Sequence, residues 1–399
     1  MSDPNGYSVR AAYCHHRSSD DEIYDTICRI IAPLSRSLEK LKEARKIVIK
    51  TNMAWPKDRI QYFEGRRREL VDDSVMRAVL KFLRKNTTAQ ITATDTCFHR
   101  QDDINYMPLL NEYGVEFIDS NKPPFRFYDV PGGGLMFSRY KLSACLAEAD
   151  AVVSVAKIKT HAFMGVTLCL KNLFGLPPMF AGSRPRNYFH HLIRLSYVLP
   201  DLGLIVQPCL NIIDGLVGQT RREWNGDGRV CNALIAGDHV IATDACGTWL
   251  MGHDPLSDWP TPPFKRDRNA LLVAAENGFG TVDLNEIDFQ TDVEPPLAEF
   301  DPDEPDSKER VKSWRKTTCE QALFYRDHRE EIMDKHAGEY VFLQDGEVVW
   351  NGFNLRDLGS RRGLARERPD SALWLKLVDP NDIEKEHFEV YEGNLGRLI

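Results

Sequence analysis

The stretch 154–175, "SVAKIKTHAFMGVTLCLKNLFG", opens as an apolar, β-branched run and closes with helical spacing. Joined to the residues before it, "AVVSVAKIK" (151–159) is a nearly continuous apolar strand. Strands of this kind sit in parallel sheets covered on both faces. Lys157, Lys159, Thr160 and His161 stand where that strand ends, and Thr167, Lys171 and Asn172 follow within the helical run. In open parallel sheets ligands bind beyond the carboxyl ends of strands, because loops and helix N-termini converge there.

The same alternation extends in both directions. "KIVIK" (46–50) precedes a helical pattern over 71–85, and "QITATD" (90–95) precedes a weaker one over 102–112. "GVEFID" (114–119), "LNIIDGL" (210–216) and "ALIAGD" (233–238) read as further strands, and "RYKLSACLAEAD" (139–150) as a helix. A helix is expected through 163–174 as well. Residues 20–43 form an amphipathic helix capped by Ser18 or Ser19, with Asp20, Asp21 and Glu22 in its first turn and a kink at Pro33. Strands alternating with helices predict an α/β fold, a mostly parallel, doubly wound sheet with helices on both faces.

The pattern gives out at the proline-rich "PLSDWPTPPFK" (255–265). The expected organisation is an α/β core over 1–298, an acidic linker over 299–324 and a small α+β accessory domain over 325–399. That last unit contains "EYVFLQDGEVVWNG" (339–352), a hairpin with Asp345-Gly346 as a type I′ turn.

Composition narrows the function classes. Across 399 residues the net charge is −8, which argues against a nucleic-acid partner. No apolar run approaches the ~20 residues of a membrane span, and the first residues carry no apolar leader core. Nine cysteines include no C-x-x-C, so zinc-ribbon, thioredoxin-like and ferredoxin-type iron–sulfur readings lack support. Scattered cysteines in apolar runs read as reduced core thiols of a cytoplasmic protein. The partners expected are a small anionic metabolite and, as an open option, a second copy of the chain.

Polar residues at strand ends form the candidate site. Lys50 and Asn52 follow the first strand, Asp95, Thr96, His99 and Arg100 the second, and Asp214 ends the fifth. Ammonium groups beside a helix start can hold a carboxylate or phosphate. The substrate-binding candidates are therefore Lys157, Lys159, Arg100, Thr160, Asn52 and Lys50. His161 and His99 are the acid/base candidates, since imidazole titrates near neutrality and a pair can work opposite faces of one carbon. On a helix, Lys171 lies one turn after Thr167 and shares its face. His190 and His191 follow "AGSRPRNYF" (181–189), part of a lid-like loop, 176–190, that carries Arg184 and Arg186, and either is a candidate metal ligand. "QTRREWNGDGRV" (219–230) reads as a hairpin-like turn.

The central motif, with "VIKTN" (48–52), "IIDGLVGQ" (212–219) and "AGDHVIATDACGTWLMGHDP" (236–255), resembles the domain-of-unknown-function family 362 over about residues 45–290. Lys157, Lys159, Thr160, His161, Thr167, Lys171 and Asn172 match its motif, and Lys50 and Asn52 match with Thr51 in place of the usual proline. Many members carry iron–sulfur segments or have redox roles. This chain has no such cysteines, so no cluster is expected. Residues 325–352 resemble a small accessory domain.

The block also resembles, more distantly, the N-terminal domain of nickel-pincer lactate racemases. That resemblance implies His161 as a catalytic histidine ten residues before Lys171, which would hold the nickel-pincer nucleotide. It also implies His99 as a second catalytic histidine, followed by Arg100, and His190 or His191 as a nickel ligand. The glycine-rich stretch before the lysine is replaced here by "VTLCL". Lys171, Thr167, Asn172 and Asp214 then form the cofactor-binding set. The reading is an enzyme that moves a proton, or a hydride with a cofactor's help, on a small carboxylate, by racemisation, epimerisation or elimination. One alternative is a non-catalytic or redox-accessory protein that binds an anionic ligand or iron–sulfur partner. Another is a biosynthetic tailoring enzyme with a larger donor substrate.

Overall fold

The computed structural model describes residues 6–53, 57–97, 105–179, 186–303, 306–359, 364 and 371–398. Its centre is a nine-stranded sheet of α/β type. In chain order the strands are β1 (Tyr7–Tyr13), β2 (Lys46–Thr51), β3 (Gln90–Asp95), β4 (Glu116–Asp119), β5 (Ala151–His161), β6 (Gly165–Thr167), β7 (Leu210–Thr220), β8 (Asp227–Gly237) and β9 (Ile287–Thr291). Across the sheet they run β9-β1-β8-β7-β5-β2-β3-β4, with β6 on the end of β5. β5 pairs in parallel with both β2 and β7, and β2 in parallel with β3. The antiparallel pairs are β1 with β8, β7 with β8, and β6 with β5.

Side-chain alternation in β5 explains its central place. Val152, Ala156 and Ile158 enter one core and Ala151, Val153 and Val155 the other. Every residue of the strand is buried. The second face continues as Lys157, Lys159 and His161, so one stripe turns from aliphatic to cationic at the carboxyl end.

The N-terminal helix divides at Pro33 into Asp20–Ile31 and Ser35–Glu43. Ser19 is its cap, accepting from the Glu22 amide while the Glu22 carboxylate accepts from the Ser19 amide. Ahead of it, β1 lies inside the sheet, and in the turn that joins the two His16 is buried against Asn232.

Three expectations are corrected. The stretch 139–150 is not a helix but a strand, Arg139–Ser143, and a 3-10 turn, Ala144–Glu148. Tyr140 and Leu142 are buried while Arg139 and Lys141 are not, which is a period of two. Over 163–174 the helix spans only Cys169–Asn172. Gly165, at φ +77, lets β6 fold back on β5 so that Thr167 pairs with Lys159. Thr167 and Lys171 therefore share no helix face. The segment 299–324 is largely helix, not linker, because Lys308–Asp327 is one helix capped by Ser307. Val311, Arg315, Thr318, Ala322 and Tyr325 keep the helical period and are buried.

In the C-terminal part, β10 (Tyr340–Gln344), β11 (Glu347–Gly352) and β12 (Trp374–Leu377) form a sheet in the order β11-β10-β12. Asp345 and Gly346 both have positive φ, as the I′ turn requires. Arg194 reaches this unit through Glu386, 2.7 Å away and fully buried.

Candidate functional site

Beyond the carboxyl ends of β2, β3 and β5 lies a cavity of about 250 Å³. Strand ends supply Lys50, Asn52, Asp95, Thr96, Lys159 and His161. The fold-back through β6 and the short helix after it supply Thr167, Lys171, Asn172 and Phe174. Arg186 and His190 come from the segment after 185, and Glu223 and Trp224 from the tip of the β7–β8 hairpin. Four cationic and two anionic side chains line it, in a chain whose net charge is −8.

The four cations differ in what satisfies them. Lys50 Nζ pairs with Asp95 at 2.9 Å and donates to Asn172 Oδ1 at 3.0 Å and to the Thr51 carbonyl. Arg186 donates to Thr96 Oγ1 at 2.8 Å and to the Phe174 carbonyl at 3.1 Å. Lys159 Nζ donates to the carbonyls of Glu69 and Glu223 and lies 4.4 Å from the centre of the Trp224 ring. Lys171 Nζ rests 4.6 Å over the Phe174 ring and has no hydrogen-bond or ion-pair partner among the described residues. Burial pushes Lys159 down to about 8. Burial, against some opposition from Glu223, and repulsion from Arg186, Lys159 and Lys50 bring Lys171 down to about 7. Arg186 falls to about 10 for the same first reason.

Both wall imidazoles, His161 and His190, are held toward the neutral form. Burial, then Lys171 and Lys159, hold His161 well below its ordinary range, and burial pushes His190 down to about 3. His161 Nδ1 accepts from the backbone amides of Phe163 at 3.0 Å and Met164 at 3.2 Å. Both are N–H groups, so the ring proton sits on Nε2. Glu223 lies 3.6 Å from that Nδ1 and accepts from the Ala162 amide. The His161 and His190 rings stack with centroids 6.1 Å apart. The Thr167 hydroxyl is buried in the wall with no hydrogen-bond partner among the described residues.

The sequence profile described as "Domain of unknown function (DUF362)" matches residues 47–249. The chain belongs to the DUF362 family. The matched segment contains every residue of the cavity wall, from Lys50 to Trp224. This DUF362 chain is 27% identical over 158 residues to a thylakoid-associated protein of Synechocystis sp., covering 38% of itself and 46% of that protein. It thus spans about half the length of that curated relative. Among solved structures it is similar to the lactate racemase apoprotein from Thermoanaerobacterium thermosaccharolyticum, at 14% identity and a TM-score of 0.39, over 63% of this chain and 59% of that one. Among the described residues of the DUF362 chain no helix is long and apolar enough to cross a membrane.

The cavity of this DUF362 chain brings together Lys50, Asn52, Asp95, Thr96, Lys159, His161, Thr167, Lys171, Asn172, Arg186 and His190 of the residues singled out in the sequence. Lys157 and Asp214 do not line it. They pair with each other at 2.9 Å behind the wall, both fully buried. Thr160 alternates to the opposite face of β5 from Lys159 and His161, and is buried there. His191 turns away, its Nε2 against the Leu373 carbonyl at 3.0 Å, so the two adjacent histidines do not make a joint metal site. Among the described residues no three His, Cys, Asp or Glu side chains converge on a cation position. His99 and Arg100 lie outside the described residues. Sequence reasoning missed Glu223 and Trp224 as wall residues. The signal available was an aromatic and an acid at the tip of a polar, glycine-rich loop.

Proposed function

We propose that this cavity binds a small metabolite through a carboxylate and moves a proton at a carbon close to it, as an isomerase or lyase. The observation that carries the reading is the excess of two positive charges on a small, partly buried wall, with the Lys171 amine unpartnered among the described residues. Buried charge is normally paired, and an anionic ligand supplies the missing partner. Lys159 and Arg186 hold the carboxylate, and the orphaned Thr167 hydroxyl takes a further ligand oxygen. His161 acts through Nε2–H as a neutral donor to an oxygen that gains charge, a role open to an imidazole whose charged form is suppressed. In this reading the Glu223 carboxylate and the Lys171 amine are the wall groups that take the proton.

Of the two histidines that the resemblance offers as a nickel ligand, the described walls hold only His190. His191 is directed elsewhere, its Nε2 against the Leu373 carbonyl. The test is proton exchange in heavy water. Small 2-hydroxy and 2-oxo acids incubated with the protein should exchange a C–H near the carboxylate, read by NMR. Lys159→Met should weaken binding, and Glu223→Gln should slow exchange with binding kept. Absence of both binding and exchange across such a panel would overturn the reading.

A further inference from the structure

We propose that Lys171 forms a covalent imine with the carbonyl carbon of a 2-oxo acid bound in the cavity. This deepens the anion-binding reading and rests on it. A carboxylate beside the reacting carbon opposes carbanion formation, so proton removal there needs an electron sink. The cavity holds the parts for making one.

The first part is a nucleophile, and the three wall lysines are not equal in this respect. Lys50 has Asp95, Asn172 and the Thr51 carbonyl on its amine. Lys159 has two carbonyls and the Trp224 face. Lys171 has only the face of Phe174, 4.6 Å away, and no hydrogen-bond or ion-pair partner among the described residues. A lysine is activated for imine chemistry by an apolar seat and by neighbouring cations, both of which disfavour its ammonium form. Phe174 supplies the seat, and Lys159 and Arg186 supply the cations. The direction of the Lys171 basicity, down to about 7, agrees with this geometry.

The second part is a receptor that sets the carbonyl beside the amine. Lys159 and Arg186 take the carboxylate of the oxo acid, so its carbonyl falls next to the anion site. His161 Nε2–H polarises the carbonyl oxygen. The step then balances. The Lys171 lone pair forms a C–N bond as the C=O π bond opens, and the oxygen takes the proton that the nitrogen gives up, leaving a neutral carbinolamine. The carbinolamine hydroxyl leaves as water with one proton drawn from solvent, and a protonated imine remains. Its positive nitrogen is the sink, and the Glu223 carboxylate takes the proton from the next carbon to give the enamine.

The experiment is reductive trapping on the full chain, with pyruvate as probe and cyanoborohydride as reductant, followed by intact-mass analysis and peptide mapping. The expected result is a single reduced pyruvate adduct on Lys171, formed roughly tenfold or more faster than on any surface lysine. Excess sulfate should suppress it, and Lys171→Met should abolish it. The sulfate competition uses unaltered protein, so the assignment does not depend on a variant folding. If calorimetry shows pyruvate bound but no adduct forms, the imine is overturned and the anion-binding reading stands. If pyruvate neither binds nor is trapped, both fail. Adducts spread over surface lysines, or an equal rate in Lys171→Met, overturn the imine.

Discussion

Lys157 and Asp214 meet at 2.9 Å with neither side chain reaching solvent. The carboxylate also accepts from the amides of Asp72 at 2.7 Å and Leu216 at 3.1 Å. Breaking such a pair on one side leaves an uncompensated buried charge, which costs on the order of 3–5 kcal/mol. Lys157→Met should therefore lower stability by that order in urea denaturation. The double variant Lys157→Met/Asp214→Asn should recover part of the loss, because the stranded charge is gone. Equal loss in the single and double variants would show that the damage is to packing.

Lys171 has the opposite stability signature. Its basicity falls from 10.5 to about 7 in the fold, so between those values the unfolded chain binds the extra proton. Stability then rises with pH across that window, and the cost of burying the ammonium is fully present below about 7. Lys171→Met removes the cost. It should stabilise the protein on the order of 1–3 kcal/mol at pH 6 and progressively less toward pH 10. Thermal melts of both proteins across that range, without ligand, test the sign.

Anion affinity should run the other way. Lys159 loses its proton around 8 and Lys171 around 7, so a monocarboxylate such as lactate, whose own charge is constant here, should bind more weakly from pH 6 to pH 9. Calorimetry at each pH gives the profile. In Lys171→Met the fall near 7 should disappear while the fall near 8 remains. A flat profile in the unaltered protein would remove both amines from the binding surface.

The central strand and its cationic end were legible because residues 151–159 pair a parallel-strand pattern with charges at one parity, and strand ends gather ligands. The roles within that cluster were not legible. Lys157 and Lys159 look alike in sequence, yet one faces Asp214, 57 residues away, and the other reaches the cavity. Long-range pairing of that kind leaves no local trace. The helix expected over 163–174 failed because Gly165 reverses the chain, and an apolar run reads alike in a strand or a helix. Strand β1 was missed because "YSVRAAY" is short and sits next to a turn-rich stretch. The His161 donor role depends on two amides that meet Nδ1, a relation set by the fold-back and not by spacing.

Gly175 offers a test of the cavity wall that leaves its charges alone. A methyl group there would lie 2.5 Å from Asp95 Oδ1 and 2.7 Å from Lys50 Nζ. Both side chains are buried and pinned, so neither can yield cheaply. The Gly175 carbonyl also accepts from Ser120 Oγ at 2.8 Å, which limits retreat of the backbone. Gly175→Ala should then split the Lys50–Asp95 pair and cost on the order of 1–3 kcal/mol. It should also weaken carboxylate binding, because the displaced Lys50 and Asp95 side chains enter the cavity. Gly393→Ala is the control. It sits in the helix Glu389–Gly396, where a methyl group meets nothing within 4 Å. That change should stabilise by roughly 0.5–1 kcal/mol and leave binding untouched. Urea titrations and lactate calorimetry on both variants decide it: full binding in Gly175→Ala would show that the Lys50–Asp95 pair forms no part of the ligand's surroundings.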